Sequence, residues 1–428
     1  MTYDLDAIRC RFPALSITDG GGPRIYFDNP AGTQVPQSVA DRMRDCLLTA
    51  NANLGGCFPT SERAGEIAID AHRAMADLLN APSMDEIVFG QNMTTLTLHV
   101  SRSIGRELEA GDEIILSRMD HDANVAPWLL LARDLGLEVR WLPFDLESFE
   151  FDLARFDGLL SERTRLVCVG GASNLTGTLN DLRTISRRAR EAGAWTYVDA
   201  VQSVPHVATD VQAIGCDFLA CSAYKFFGPH QGILWGRREI LERLEPYKVR
   251  PAPAELPWAF ETGTLSHEGM AGTAAAVDYL AWIGETMAGD YLARNEPYAA
   301  GRRRFVHAAM DCLFDYEATL TRPLLDGLQS LPGVTVHGVT LEDALARRAP
   351  TVSFTAGGMR PDEIARKLAE HDIFVWSGHN YAVEAARALG ILDSGGAVRV
   401  GPVHYNSVHE VERLLNALED ILPKPRVA

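Results

Sequence analysis

Between residues 86 and 236 the sequence alternates short apolar runs with segments whose apolar residues recur at helical spacing. Strands that are apolar on both faces are typical of a parallel sheet covered by helices on both sides. The pattern therefore predicts an α/β fold with a large, mostly parallel, seven-stranded sheet between helices. The runs that predict its strands are EIVFG, DEIILS, LEVRWL, RLVCVG, WTYVDA, DFLACS and GILWG.

The pattern changes from about Tyr291 onward, where a long helix is followed by short strands and helices in less regular order. This change predicts a smaller α+β C-terminal domain over residues 291–428, after a large domain over residues 21–290. Residues 1–20 read as a short helix that we expect to pack on the smaller domain. The run IFVWSG, residues 373–378, predicts one strand of that domain.

Polar side chains follow five of the predicted strands. Because ligands of a parallel sheet gather at the carboxyl ends of its strands, these side chains predict a single site. Taken singly, a strand-end aspartate is more often a turn or cap residue, so the prediction depends on the ordered set. Its members are Asn92–Thr94, Asp120 and His121, Ser173 and Asn174, Asp199 and Gln202, and Ser222–Lys225.

Lys225 stands between two short apolar strands and beside a Gly-Pro turn, which is an unusual place for an ammonium group. Burial would lower its pKa and make the side chain a usable amine nucleophile. The sequence therefore indicates an enzyme that works through a lysine amine.

The formal net charge of −17 argues against nucleic acid or an anionic membrane as partner, because both require a basic surface. The seven cysteines are widely spaced, without C-x-x-C or a histidine-rich ligand pattern, which predicts reduced thiols and no metal site. The N-terminus lacks the pattern of a signal peptide, and no apolar stretch approaches the ~20 residues of a membrane span. We expect a cytoplasmic enzyme.

Five motifs resemble, in order and spacing, the class V aminotransferase family of pyridoxal-phosphate enzymes, in particular its cysteine desulfurase-like branch. The resemblance extends from Ile25 to Leu415 and implies the fold type I architecture, pyridoxal 5′-phosphate as cofactor, a small amino-acid substrate, and a homodimer with shared active sites. The motifs are DHDANVAPW, GASNLTGTLNDL, VDAVQSVPH, CSAYKFFGP and RVGPVHYNS.

The resemblance implies a role for each residue around the cofactor ring. Lys225 would carry the cofactor as an imine and then act as base on the substrate Cα proton. Asp199 would face the pyridine nitrogen and keep the ring protonated. Gln202 and Asn174 would bind the phenolic oxygen, and His121 would stack on the ring.

The resemblance also implies the residues around the phosphate. Thr94, with the backbone of Met93, would hold the phosphate at a helix N-terminus, and Ser222 would add a hydroxyl group. Tyr224 stands where the family usually has histidine; it can donate one hydrogen bond but brings no positive charge. Thr264 matches the residue that reaches the phosphate from the partner subunit.

On the substrate side, Arg399 matches the arginine that binds the α-carboxylate in a bidentate manner. Ala31 and Gly32 lie in a turn of small residues that lets a ligand approach the backbone. Asn174 and Tyr381 are further expected substrate contacts. We expect the remaining walls to come from Phe58, Trp376 and His404.

The stretch 376–382, WSGHNYA, departs from the family pattern. Tyr381 stands where the resemblance places the sulfur-accepting cysteine of desulfurases, and a phenol cannot accept a sulfur atom. Trp376 replaces an arginine of the same motif. Cys57 is a possible reserve thiol, although a small filler residue is the favoured interpretation, and Cys221 should be inert within its apolar strand.

The residues therefore favour chemistry that needs no thiol. The preferred hypothesis is β-elimination from a small L-amino acid or an S-substituted cysteine, which gives a thiol or sulfide, a 2-oxo acid and ammonia. Transamination and epimerisation stay open, the latter with Tyr381 or His379 as second acid or base. A cofactor-binding scaffold without turnover is the remote alternative.

Overall fold

The structure, a computed structural model, describes residues 3–19 and 21–423. Its centre is a seven-stranded sheet in the order β2-β8-β7-β6-β5-β3-β4. Six of its strands run in one direction, and β8 alone runs in the opposite direction. The predicted mostly parallel sheet is thus confirmed. The strands are β1 (Ile25–Tyr26), β2 (Ile87–Gly90), β3 (Glu113–Ser117), β4 (Glu138–Leu142), β5 (Thr164–Gly170), β6 (Trp195–Asp199), β7 (Phe218–Ser222), β8 (Gly232–Gly236), β9 (Val334–His337), β10 (Val352–Ala356), β11 (Ile373–Phe374), β12 (Trp376–Gly378) and β13 (Ala397–Val400).

Helices cover both faces of this sheet. None of the helices among the described residues is both long and apolar enough to cross a membrane. The helices are α1 (Leu5–Arg9), α2 (Gln37–Thr49), α3 (Pro59–Leu78), α4 (Met93–Gly105), α5 (Ala126–Leu135), α6 (Leu153–Leu159), α7 (Leu182–Glu191), α8 (Val211–Ile214), α9 (Arg238–Arg243), α10 (His267–Thr286), α11 (Gly289–Leu292), α12 (Arg302–Ser330), α13 (Pro361–Ala369), α14 (Val383–Ala388) and α15 (Val408–Ile421).

Successive residues of the central strands point into different cores. Ile115 of β3 packs in the cluster that contains α3 and α10, whereas its neighbour Leu116 packs in the cluster that contains α4 and α5. Both side chains are fully buried. The strands read as continuous apolar runs because both faces of the sheet are covered.

Helix α4 begins at Met93 because Asn92 caps it. The Asn92 Oδ1 accepts the backbone N–H of Thr95 at 2.9 Å, and the Thr95 hydroxyl oxygen accepts the N–H of Asn92. The cap aims the first turn of α4 at the carboxyl ends of β7 and β6, where the predicted site residues lie.

A four-stranded antiparallel sheet, β12-β13-β10-β9, packs on α12, α13 and α15. The prediction of a single strand over residues 373–378 is wrong, because the structure divides these residues between two strands. Ile373 and Phe374 form β11, which pairs with β1, whereas Trp376–Gly378 form β12, which pairs with β13. The apolar run is divided because its two halves pair with strands of different sheets.

The N-terminal segment contacts both parts of the chain. Arg9 donates hydrogen bonds to the Tyr405 carbonyl at 2.7 Å and to the Glu410 carboxylate at 3.0 Å. Phe12 packs edge-on against Tyr279 of α10, with 5.4 Å between ring centroids. The domain boundary near residue 290 stays a prediction.

Candidate active site

A cavity of about 600 Å³ opens at the carboxyl edge of the central sheet. Its volume lies within the range of pockets that hold small ligands and cofactors. The side chains that follow five different strands meet here, as the sequence predicts. The predicted residues among its walls are Met93, Thr94, His121, Asn174, Asp199, Gln202, Ser222, Tyr224 and Lys225.

Lys225 ends the short helical turn that follows β7, and its side chain is buried. The Nζ atom donates a hydrogen bond to the backbone carbonyl of Pro30. Burial, together with the positive charge of Arg399, lowers the pKa of Lys225 to about 7. A substantial fraction of this amine is therefore neutral at neutral pH and able to act as nucleophile or base.

Asp199 is the last residue of β6, and Gln202 follows it in the next turn. The Asp199 Oδ1 accepts the N–H of Val201 at 2.9 Å, which fixes the carboxyl group. Burial raises the pKa of Asp199 to about 6. The Gln202 Nε2 donates to the Thr351 hydroxyl at 2.9 Å. A residue of the C-terminal part of the chain therefore fixes the position of the Gln202 amide.

His121 lies in a tightly bonded loop after β3. Its Nδ1 accepts the N–H of Ala123 at 3.0 Å, which leaves the hydrogen on Nε2. The preceding Asp120 accepts hydrogen bonds from Ser117, at 2.6 Å, and from the Gly170 N–H, at 2.9 Å. Burial lowers the pKa of His121 to about 3, so the ring is neutral and can stack on a flat ligand.

The polar groups of the cavity fit pyridoxal phosphate. Asn174 Oδ1 and Gln202 Oε1 are buried without a hydrogen-bond partner among the described residues, which is costly unless a polar ligand is bound. The Ser222 Oγ accepts the Met93 N–H at 3.0 Å, which leaves its own hydrogen available. The N–H of Thr94 makes no hydrogen bond within the described chain, so it can bind an anion.

Arg399 of β13 reaches this edge from the smaller sheet and is buried. Its Nη1 donates to the Asn174 carbonyl at 3.0 Å, and its Nη2 lies 3.8 Å from Asp28 Oδ1. The Arg399 Nε and Asp28 Oδ1 have no hydrogen-bond partner among the described residues. Burial lowers the pKa of Arg399 to about 10 and raises that of Asp28 to about 6. Arg399 itself does not line the cavity, but it contacts Asn174, which does, and its Nε hydrogen has no acceptor among the described residues.

Ala31 and Gly32 do not line the cavity, but their turn packs against Tyr224, which does. Both backbone N–H groups bond to the Asp28 carbonyl, and a Cβ on Gly32 would stand 3.2 Å from the Tyr224 ring. This turn therefore packs closely against Tyr224 and restricts the positions of Tyr224 and Lys225.

Thr264 lies outside this cavity, in a neighbouring one of about 620 Å³. The expectation that His404 forms a wall is wrong, because its Nε2 is hydrogen-bonded to the Tyr279 hydroxyl at 2.6 Å inside the core. Phe58 and Trp376 are exposed and do not line the cavity.

Tyr381, a predicted substrate contact, is exposed and does not line the cavity, but it contacts a residue that does. Its ring is stacked on His121, with centroids 5.4 Å apart and 21° between the planes. Cys168 and Cys221 are buried in strands, where burial raises the pKa of each thiol. Cys57 is exposed in the loop before α3. Among the described residues, no cysteine lines the cavity.

Two residues near the site were missed from the sequence. Asp28 read as part of a turn, and only its position after the apolar run IYF indicated that it would be half-buried. His230 lines the cavity and stacks on Tyr224, with 5.1 Å between centroids. Its closeness in sequence to Lys225, in KFFGPH, was the available signal.

The sequence matches the family described as aminotransferase class V over residues 25–302 and 305–414. A cysteine desulfurase of Pectobacterium carotovorum is 31% identical over 98% of this chain and 98% of its own length. An aminotransferase-like protein of Gibberella zeae is 32% identical over 98% of this chain and 99% of its own. The apo structure of a cysteine desulfurase from Thermococcus onnurineus has a TM-score of 0.83 at 28% identity, covering 93% of this chain and 94% of that one. This chain therefore belongs to the class V aminotransferase family of pyridoxal-phosphate-dependent enzymes.

Proposed function

We propose that this enzyme catalyses β-elimination from a small L-amino acid or an S-substituted cysteine. The products are a thiol or sulfide, a 2-oxo acid and ammonia. The observation that carries the proposal is the position of Tyr381, whose exposed ring stacks on His121, a residue of the cavity wall. There the resemblance to desulfurases places a sulfur-accepting thiol, and here the chain presents a phenol.

When bound, pyridoxal phosphate withdraws electrons from the Cα of an attached amino acid, which makes the α-proton removable. Lys225 Nζ would take this proton, since burial and the Arg399 charge lower its pKa to about 7. The Asp199 carboxylate would hold a proton on the ring nitrogen. The neutral His121 would fix the plane of the ring by stacking.

Arg399 and Asp28 would orient the substrate. The guanidinium, with its free Nε, would bind the α-carboxylate, and Asp28 would lie close to the α-amino group. A zwitterionic amino acid carries both charges within a few ångströms, as does this pair of side chains. The arrangement supports an α-amino acid rather than a simple amine as substrate.

The leaving group needs a proton as its bond to Cβ breaks. The Tyr381 hydroxyl would supply it, supported by His379, whose ring lies 5.9 Å away between centroids. The Tyr381 N–H donates to His379 Nδ1 at 3.0 Å, which holds the two side chains together. With this proton supplied, sulfur leaves from Cβ more readily than oxygen or nitrogen, which favours sulfur-containing substrates.

Transamination is the second candidate, favoured by the likeness to a protein called aminotransferase-like. It would need a second amino substrate or 2-oxo acid, whereas elimination needs only water.

We also propose a homodimer, because Thr264 lies outside the cavity of its own chain. A partner subunit would bring its Thr264 to the phosphate, as the family resemblance implies. Sedimentation of the cofactor-bound protein as a monomer would contradict this part of the proposal.

The test is a panel of α-deuterated L-amino acids and cysteine S-conjugates, followed for 2-oxo acid, ammonia, sulfide, alanine and loss of deuterium. Elimination predicts equal amounts of 2-oxo acid, ammonia and thiol without any acceptor. Transfer of sulfur to a protein thiol would instead leave alanine. A 2-oxo acid formed only with an added amino acceptor indicates transamination, and deuterium loss without 2-oxo acid indicates epimerisation; either result overturns the proposal. Lys225→Ala is the control that should lose every signal.

A further inference from the structure

The phosphate end of the cavity has few cationic groups. Among the described residues that line it, only Lys225, His121 and His230 carry a side chain that can become positive. Lys225 is the amine that binds the cofactor. Burial lowers the pKa of His121 to about 3, so that ring stays neutral. His230 is the remaining side chain of this set that can carry a positive charge.

A phosphate monoester carries a charge of about −1.5 to −2 near neutral pH. The N-terminus of α4 offers the equivalent of roughly half a positive charge, and Ser222 and Thr94 offer neutral donors. Tyr224 stands where the family resemblance places a histidine. The phosphate therefore lacks a full counter-charge from these groups.

His230 is placed to supply the missing positive charge. It lies in the turn between β7 and β8, and its ring stacks on Tyr224 with 19° between the planes and 5.1 Å between the centroids. The side chain is exposed.

His230 also lines the neighbouring cavity, where His99 of α4 and Glu268 of α10 are the titratable groups. Tyr224 and Lys225 are those on the side of the cofactor cavity.

We propose that the imidazole of His230, held by stacking on Tyr224, supplies the positive charge that faces the cofactor phosphate. The aromatic pair replaces the single histidine that the family usually has before its lysine. The inference relies on the proposed placement of the phosphate at Thr94 and Ser222. His230 is thus a cofactor-binding residue of this chain.

The experiment measures dissociation constants of pyridoxal phosphate and of pyridoxal for the apoprotein, since the two ligands differ only in the phosphate. His230→Gln should weaken pyridoxal phosphate binding about 10-fold or more, as expected for the loss of one hydrogen bond to a charged group. Pyridoxal binding should not change. His230→Arg should restore affinity, because a guanidinium both stacks and carries charge. His99→Gln, in the neighbouring cavity, is the matched control and should bind like wild type.

The pH dependence gives a second measurement. The ratio of wild-type to His230→Gln affinity should grow as the pH falls, because a protonated imidazole binds the phosphate more strongly. Titration of the free ligand is the same in both measurements and cancels in this ratio. A ratio that does not depend on pH overturns the assignment of charge to His230.

Thr94→Val separates this inference from the placement on which it relies. If Thr94→Val weakens only pyridoxal phosphate while His230→Gln has no effect, the placement holds and the role of His230 is wrong. If neither variant distinguishes the two ligands, the placement itself fails. Equal losses for both ligands in His230→Gln mean a structural role and also overturn the proposal.

Discussion

The ring of Tyr381 stacks on the ring of His121, with 5.4 Å between the centroids. Hydrogen bonds fix the backbone around Tyr381. The Asp122 N–H donates to the Tyr381 carbonyl at 2.8 Å, and Asn174 Nδ2 donates to the Asn380 carbonyl at 2.6 Å. Asn380 and Tyr381 have φ values of 52° and 58°, an unusual conformation for two successive non-glycine residues. These contacts hold the phenol in a defined position beside His121.

Tyr381→Phe should keep the stacking and remove the proton donor. We expect kcat for thiol release to fall about 100-fold, the lower end of the range for one general acid, with KM nearly unchanged. Steady-state kinetics with an S-substituted cysteine measure both values. The loss should be smaller for substrates whose leaving group needs no proton. Unchanged kinetics with every substrate would show that the phenol only fills space.

Arg399→Ala should raise KM for α-amino acids far more than for the corresponding amines. One bidentate, charge-assisted contact accounts for about 1.5–3 kcal/mol, or roughly 10- to 100-fold in affinity. Arg399→Lys keeps the charge but loses the fork geometry and should recover only part of the effect. Spectral titration with L-alanine and ethylamine compares the two ligand classes. An equal effect on both would remove the carboxylate-binding role.

Cys57→Ser should leave the yield of sulfide from L-cysteine unchanged, because direct elimination needs no thiol on the protein. The exposed position of Cys57 makes alkylation of the wild type a parallel test. Sulfide and 2-oxo acid are measured without added reductant. A large loss in both treatments, with alanine as the carbon product, would establish Cys57 as sulfur acceptor.

The central sheet was predictable because apolar periodicity is local information. The five strand ends were predictable for the same reason, since parallel strands bring their carboxyl ends to one edge. The division of residues 373–378 was not, because it depends on pairing with Ile25, far away in the sequence. Asp28 was missed because it approaches Arg399 from a distant part of the sequence, which no local pattern encodes. His230 was missed although Tyr224 lies in the same turn, because apolar periodicity does not indicate how the rings of a turn stack.

Covalent attachment of pyridoxal phosphate to the apoprotein should depend on pH through Lys225. Only the neutral amine reacts, and burial with the nearby Arg399 charge lowers the pKa of Lys225 to about 7, from an ordinary value of about 10.4. The attachment rate should therefore rise up to about pH 7 and level off above it. Stopped-flow absorbance measures the rate. Arg399→Gln should shift the profile to higher pH, and a wild-type rate that still rises above about pH 9 would contradict the assignment.

Asp199→Asn should stabilise the apoprotein at alkaline pH. Burial raises the pKa of Asp199 to about 6, whereas the unfolded chain has about 3.9. This carboxyl group therefore favours the folded state below about pH 4, and its contribution disappears as the pH rises through about 6. At pH 8 the buried charge destabilises the apoprotein by roughly 3 kcal/mol relative to a neutral side chain.

The free energy of unfolding in urea, measured for both apoproteins at several pH values, tests this. The advantage of Asp199→Asn should be largest near pH 8 and shrink towards pH 5, since the wild-type carboxyl group then gains its proton. Asp134→Asn, an exposed surface substitution, is the control and should change little. Turnover of the cofactor-bound Asp199→Asn variant should fall, because the amide cannot hold a proton on the ring nitrogen. An apoprotein variant less stable than wild type at pH 8 would contradict the buried-charge interpretation.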